Sequence, residues 1–216
     1  MSVHSLPNPG GVAVPETQRT ARGRWKMALV MLVCAAPVVA SYFTYYVVRP
    51  ESRRSYGELI DPQRPLPAVN AATLDGKSVP LPALQGQWLL VSVAGGACAA
   101  PCENHLYLQR QLREALGKEK ERLDWVWLVD DQAPVPDALK TAVAQATVLR
   151  VDGAVLRQWL QPEPGHTLAE HLYVVDPMGH WMMRFPANID RSGAARAKRD
   201  IDRLMRASAG WDKAGR

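Results

Sequence analysis

Trp88-Leu-Leu-Val-Ser-Val-Ala94 runs without a break into Gly95-Gly96-Ala97-Cys98-Ala99-Ala100-Pro101-Cys102, and this stretch decides the fold. The first seven residues are almost wholly apolar and follow Gly86. That is the pattern of a strand buried on both faces. Beyond the cysteines, Leu106, Leu108, Leu112, Ala115 and Leu116 recur at helical spacing, and Gly117 stops them. An amphipathic helix starting near Glu103 is expected. Two cysteines in C-x-x-x-C spacing at a strand-to-helix junction can form a disulfide, hold a soft metal, or simply pack.

The flanking segments extend the pattern. Upstream, residues 72–84 carry Asp75-Gly76, a strong hairpin turn. Downstream, residues 124–129 read as a strand and 130–136 as a loop. Asp137 is placed to cap a short helix through Ala144. Residues 147–151 form the next strand and 153–160 a short helix. Pro162, Pro164 and Gly165 make a loop. Residues 171–175 and 180–185 pair as a hairpin around Asp176-Pro-Met-Gly179, with Trp181, Met183 and Phe185 expected on one face. Ala194, Ala197, Ile201, Leu204, Met205 and Ser208 mark a last amphipathic helix ending near Gly210. Strands alternating with helices predict a central mixed sheet with helices on both faces and an antiparallel hairpin at its edge. The order of elements, with the cysteines after the first long strand, is that of an α/β thioredoxin-like domain.

The amino-terminal quarter is different. Residues 1–26 carry prolines, glycines and four cations against one acid, without an apolar period. They are read as a disordered cytoplasmic tail. Residues 27–48 contain no charge, and this length suffices to cross a hydrocarbon core of about 30 Å as a helix. Tyr42, Phe43, Tyr45 and Tyr46 crowd its far end, where interfacial aromatics belong. Val38-Val39-Ala40 resembles a signal cleavage site, but the apolar run continues past it, which favours an uncleaved anchor. Cys34 within it is a small apolar residue. Residues 49–67 read as a linker, 68–210 as the thioredoxin-like domain and 211–216 as a tail. The cations before the span favour a cytoplasmic amino end, hence a periplasmic domain in a bacterial inner membrane, where disulfides can form.

Composition agrees. The chain has 216 residues, 47% hydrophobic and 22% charged, enough for one packed domain with appendages. Its net charge of +5 is concentrated before the span, and from Arg49 onward 22 cations face 20 acids. Charge therefore gives no sign of a nucleic-acid partner. Three cysteines are too few for a disulfide scaffold.

Leu74-Asp-Gly-Lys77, Leu84-Gln-Gly86, the apolar strand, C-x-x-x-C and Tyr173-Val-Val-Asp-Pro-Met-Gly179 together resemble the Sco (SenC) family of cytochrome c oxidase assembly proteins. Val126-Trp-Leu-Val-Asp-Asp131 and Met182-Met-Arg-Phe-Pro186 are similar to motifs of a divergent Sco-like group. The resemblance covers residues 66–209 and includes the amino-terminal anchor. It implies Cu(I) as cofactor, with Cys98 and Cys102 and one distant histidine as ligands. It implies as partner the oxidase subunit that carries the two-copper centre, or another assembly factor. The family's histidine stands five residues before a strand tyrosine, a position held here by Leu168. His166, in Gly165-His166-Thr167, lies seven residues before Tyr173. The family's proline after the first cysteine is replaced by Ala99.

The residues themselves allow two chemistries. Thiolates near a helix amino end are stabilised by unpaired N–H groups. Two soft thiolates suit Cu(I). They also suit thiol–disulfide exchange, in which one thiolate attacks a disulfide and the other resolves the intermediate. Carbon positions four apart on a helix are wider than a disulfide allows, so closing one needs a local adjustment. His166 is the expected third ligand, with His171 and His105 as substitutes. His4 and His180 have no supporting context. Met182 and Met183 are soft donors that packing explains as well, and Asp130 and Asp131 cap a loop. The favoured function is a non-enzymatic, membrane-anchored Cu(I) carrier. A thiol–disulfide oxidoreductase using Cys98 and Cys102 is the alternative, and an interaction module with a decayed site the third reading. C-x-x-x-C in place of C-x-x-C, with no proline beside His171, departs from ordinary thioredoxin-type enzymes.

Overall fold

The structure is a computed structural model that describes residues 16–48, 55–208 and 210. The chain divides into two units, Met1–Arg53 and Arg54–Arg216.

In the first unit, α1 spans Glu16–Phe43 and continues as a wider π-type turn over Thr44–Val48. Arg22–Val47, 26 residues with mean hydropathy 2.0, is long and apolar enough to cross a membrane. The helix begins earlier than the sequence pattern predicts. Residues 16–26, expected to be disordered, are helical because Gln18, Ala21 and the arginines are good helix formers attached to an already nucleated helix. Residues 1–15, including His4, and the tail 211–216 lie outside the described residues.

The second unit contains β1 (Glu58–Pro65), β2 (Asn70–Thr73), β3 (Ser78–Pro80), β4 (Trp88–Ala94), α2 (Ala100–Glu114), β5 (Leu123–Val129), α3 (Asp137–Ala142), β6 (Thr147–Arg150), α4 (Gly153–Trp159), β7 (Leu172–Val175), β8 (His180–Arg184) and α5 (Arg191–Ala207). The eight strands form one sheet in the order β1-β8-β7-β4-β5-β6-β2-β3. The pairs β4–β5 and β5–β6 are parallel; the rest are antiparallel. The mixed sheet with flanking helices is the expected fold.

Two sequence readings need correction. The stretch taken as a linker contains β1, which pairs with β8 and puts the β7–β8 hairpin inside the sheet. Its two prolines disguise it, and an edge strand tolerates them: the pairing is irregular between Leu59 and Arg64, around Pro62. In addition, Trp181 and Met183 do not share a face. A bulge sets Met183 opposite Val174 and Trp181 opposite Val175, so Met182 is extra and the alternation inverts. Trp181 therefore packs with Tyr173 and Val175, and Met183 with Val174, Ile201 and Met205.

β4 is buried at every position because both sheet faces are covered. Leu89, Val91 and Val93 face α4 residues Leu156 and Trp159. Trp88 and Leu90 face Leu112 of α2 and Ile201 of α5. Gln109 pins α2 to the sheet. Its amide donates to the carbonyls of Leu90 (2.8 Å) and Val126 (3.1 Å), and its Oε1 accepts from Ser92 (3.1 Å). At the entry to the domain, the buried Asp200 carboxylate on α5 accepts the N–H groups of Tyr56 (2.5 Å) and Gly57 (3.0 Å).

Candidate functional site

β4 ends at Ala94, and the chain turns through Gly95 and Gly96 before the first cysteine. These glycines permit a close approach to the loop after β5. A Cβ on Gly96 would lie 2.2 Å from the Ala133 carbonyl oxygen, and one on Gly95 would lie 2.5 Å from Asp131 Oδ2. Asp131 fixes the approach, its Oδ1 accepting from the N–H of Gly96 (2.8 Å) and of Ala133 (3.1 Å). Arg150, the last residue of β6, donates to the carbonyls of Asp131 (2.7 Å) and Ala133 (2.8 Å). Asp131 is thus more than the loop cap the sequence implied.

α2 starts at Ala100, three residues earlier than expected, with Ala99 as its N-cap and Pro101 in the first turn. Cys102 is inside that turn and donates its N–H to the Ala99 carbonyl (2.8 Å). Cys98 lies outside the helix in the left-handed region, at φ 43°. This is the adjustment that brings the two together: the sulfurs are bonded as a disulfide, with Cα atoms 5.2 Å apart. The pair is nearly covered, Cys98 exposing 6% and Cys102 9% of its surface, and packs with Leu106, Trp125, Trp127, Val129 and Val135. Trp127 also donates to the Ala94 carbonyl (3.3 Å). On reduction, the thiols sit at the positive end of a fifteen-residue helix, which favours the thiolate.

His105, His166 and His171 lie near one another, and each has a hydrogen-bond partner. His171 is fully buried. Its Nδ1–H donates to the Phe185 carbonyl (2.9 Å), and Nε2 accepts from the N–H of Glu163 (3.2 Å). Both nitrogens are used, and burial pushes its pKa down. Its ring lies edge-on to that of His166, with centroids 5.7 Å apart. His166 Nδ1 bonds the Glu170 carboxylate, which also accepts from the Thr167 N–H (3.2 Å). Those contacts hold Glu170 down to about 2. Burial likewise lowers the His105 pKa, opposed by a hydrogen bond with the Ala169 backbone. His180 lies in the β7–β8 turn, its N–H held by Asp176 (2.8 Å). Among the described residues, no three His, Cys, Asp or Glu side chains gather so as to hold a metal ion. Reduction would free two sulfur donors, but the histidines as arranged do not complete a three-ligand copper site.

Gln109, Arg150 and Gly96 were not singled out from the sequence. Two signals pointed to them: a lone amide at the Leu106–Leu112 spacing of the buried helix face, and paired glycines directly after a buried strand.

No curated protein matches the sequence. Among solved structures, the fold is similar to apo Sco1 of Thermus thermophilus, at 17% identity and a TM-score of 0.53, covering 69% of this chain and 96% of that one. It is similar to yeast Sco1 with copper bound, at 14% identity and 0.52, covering 68% and 94%. A thioredoxin-family thiol:disulfide interchange protein of Chlorobium tepidum matches at 18% identity and 0.47, covering 70% and 99%. The sequence profile of one family matches residues 88–208, more than half of the chain. The chain belongs to that family, the transmembrane-like, thioredoxin-like, C-terminal domain family.

Proposed function

We propose that this chain is a membrane-anchored assembly factor for cytochrome c oxidase whose working group is the Cys98–Cys102 pair, cycling between disulfide and dithiol. α1 is its anchor in a bacterial inner membrane, the amino terminus is cytoplasmic and the domain faces the periplasm. The observation that carries the redox assignment is the closed disulfide at the amino end of α2. The client is the oxidase subunit whose cysteines bind the two-copper centre. In the working direction a thiolate of the reduced pair attacks one sulfur of the client disulfide. The client S–S bond breaks and a mixed disulfide forms. The second thiol then attacks the bridging sulfur and closes Cys98–Cys102. Two electrons pass to the client, and two protons complete its thiols. A periplasmic dithiol reductant must then reduce the pair again.

A second reading is a Cu(I) carrier. The two soft sulfurs on one helix end favour it, as does the likeness in fold to yeast Sco1 with copper bound. In that case Cys98 and Cys102 are the metal ligands, and His166, whose bond to Glu170 through Nδ1 leaves Nε2 for a metal, must approach the sulfurs to join them.

One experiment separates the readings. The full chain in detergent is reduced and offered the oxidised copper-loop domain of the oxidase subunit, or Cu(I) alone. Client thiols appearing in step with loss of chain thiols, and a trapped mixed disulfide with a single Cys→Ser variant, support exchange. No thiol transfer, together with one-to-one Cu(I) binding lost in both Cys→Ala variants and weakened in His166→Ala, refutes it in favour of the carrier. Neither activity refutes both and leaves an interaction module.

A further inference from the structure

α5 carries six cations, Arg191, Arg196, Lys198, Arg199, Arg203 and Arg206, against two acids, Asp200 and Asp202. Their distribution is uneven. The exposed positions of the helix are Arg191, Ser192, Ala195, Arg196, Arg199, Arg203, Arg206 and Ala207. At 100° per residue all of these fall on one face. That face is therefore arginine interleaved with small residues; the partly buried Asp202 also falls within it, and the exposed N-cap Asp190 stands at its start, bonded to Ser192 and Gly193. Asp200 is buried and spent on the N–H groups of Tyr56 and Gly57, and Asp202 pairs with Lys198 (2.6 Å). Arg196 lies flat over the Tyr56 ring, 4.3 Å from its centroid, and Arg203 reaches Asp200 at 3.4 Å. At the carboxyl end of α5, Arg122 touches the Met205 carbonyl (3.2 Å), but the acids of that neighbourhood are neutralised there: Glu119 by Arg122 (2.8 Å) and Glu114 by Lys120 (3.0 Å).

The same helix holds the end of the tether. Tyr56 and Gly57, whose N–H groups Asp200 grips, are where the domain receives the chain from the apolar span ending at Val47. The intervening nine-residue step can extend to at most about 30 Å. It carries Arg49, Arg53 and Arg54.

We infer that the exposed face of α5 docks on the anionic phospholipid surface of the membrane in which α1 is anchored, orienting the domain on the bilayer. The inference rests on the anchor reading, not on the redox reading. Each arginine near an anionic surface contributes attraction that fades within a Debye length of about 10 Å, so the contact needs anionic lipid and low salt. Arg191 also lines the cleft between α2 and α5 beside Pro101 and His105, next to the turn that holds Cys102. Docking thus brings the rim of the cysteine site toward the membrane, where a membrane-embedded client would present its thiols.

The test uses the full chain in vesicles of phosphatidylcholine alone or with about 30% phosphatidylglycerol. Arginine modification by phenylglyoxal is followed residue by residue by mass spectrometry. Arg157 on α4, exposed on the opposite side of the sheet, is the internal reference. Arg199, Arg203 and Arg206 are expected to react roughly fivefold more slowly in the anionic vesicles, with the difference lost at about 0.5 M salt. In the R199Q/R206Q variant, which leaves the Asp200 and Tyr56 contacts in place, the protection of Arg203 falls. Equal rates in both vesicle types, in a chain that floats with the vesicles, overturn the docking. A chain that does not float overturns the anchor and the docking together and leaves thiol exchange untouched.

Discussion

Replacing Gly96 with alanine is the sharpest probe of how the cysteine loop is held. The added methyl would meet the Ala133 carbonyl oxygen at 2.2 Å, well inside the 3.4 Å where ordinary contact begins. The obstacle is backbone, and Arg150 holds that carbonyl at 2.8 Å, so it cannot swing away. Relief requires the loops 95–98 and 131–133 to part by about 1 Å, which takes the 2.8 Å bond from Gly96 to Asp131 out of range. Overpacking costs about 1–3 kcal/mol and a hydrogen bond to a charged group about 1.5–3 kcal/mol. Together these give roughly 3–5 kcal/mol, or a fall in Tm of about 10 °C for a domain of this size. Gly95→Ala is the matched control. Its methyl would meet Asp131 Oδ2 at 2.5 Å, the far end of a side chain that can tilt while its Oδ1 keeps the bonds to Gly96 and Ala133. About 1 kcal/mol, near 3 °C, is expected there. The measurement is thermal unfolding of the oxidised full chain in detergent, followed by circular dichroism. A Gly96→Ala chain melting within about 2 °C of the parent, or a Gly95→Ala chain melting lower still, would show that the two loops do not interlock in this way.

Reduction of Cys98–Cys102 opens only a short loop, so the domain should stay folded and lose only about 2 kcal/mol, read as a modest drop in Tm with added dithiol; outright unfolding would contradict a redox cycle. Arg150→Met removes both donors to the Asp131 and Ala133 carbonyls and should cost about 1–2 kcal/mol, with faster amide exchange at Gly96; unchanged exchange there would mean the clamp does not transmit to the cysteine loop. His171 titrates in the fold below its ordinary value of 6.5, because burial disfavours the charged ring. Its contribution is complete above the unfolded value and is lost as pH falls through the folded one, so stability should decline on acidification from about pH 7 to pH 5. His171→Asn should flatten that slope, leaving the share due to His105; a slope unchanged in denaturant titrations at the two pH values would assign the acid sensitivity elsewhere.

The parts of the fold that could be read in the chain are those where periodicity and burial agree. β4 is apolar at nearly every position because helices cover both faces of the sheet. α2 and α5 carry clean 3.6-residue stripes because each has one face on that sheet. Where a tertiary partner overrides the local pattern, reading failed. β1 looks like a linker because its burial pattern is mostly exposed and its prolines argue against a ladder. Only β8, more than a hundred residues away, makes it a strand. Strict alternation along β8 put Trp181 and Met183 together, whereas one bulged residue sends them to opposite faces, and nothing local announces a bulge.

The candidate site divides along the same line. The two cysteines were legible because C-x-x-x-C after a buried strand is a local signal. The histidines were not, because ligand capacity depends on what else each ring touches. His171 has the right residue type at the start of the right strand, but Phe185 and Glu163 take both nitrogens. His166 has the right neighbour in Thr167, but Glu170, four residues on, takes Nδ1. The sequence reading ranked copper ahead of exchange on the family resemblance and because C-x-x-x-C, with no proline beside His171, departs from ordinary exchange enzymes. We place exchange first because it requires only the pair of sulfurs, which the disulfide already brings together. A copper site would use His166 Nε2, with Glu170 holding Nδ1 as a carboxylate commonly holds a ligating imidazole, and would require the Glu163–Glu170 segment to approach the sulfurs. Breaking that ion pair while keeping the turn separates the two. Glu170→Gln retains an acceptor for the Thr167 N–H but weakens the hold on His166. It should weaken Cu(I) binding by the reduced chain about tenfold or more if His166 is the third ligand, and leave thiol exchange with the client unchanged if the sulfurs work alone.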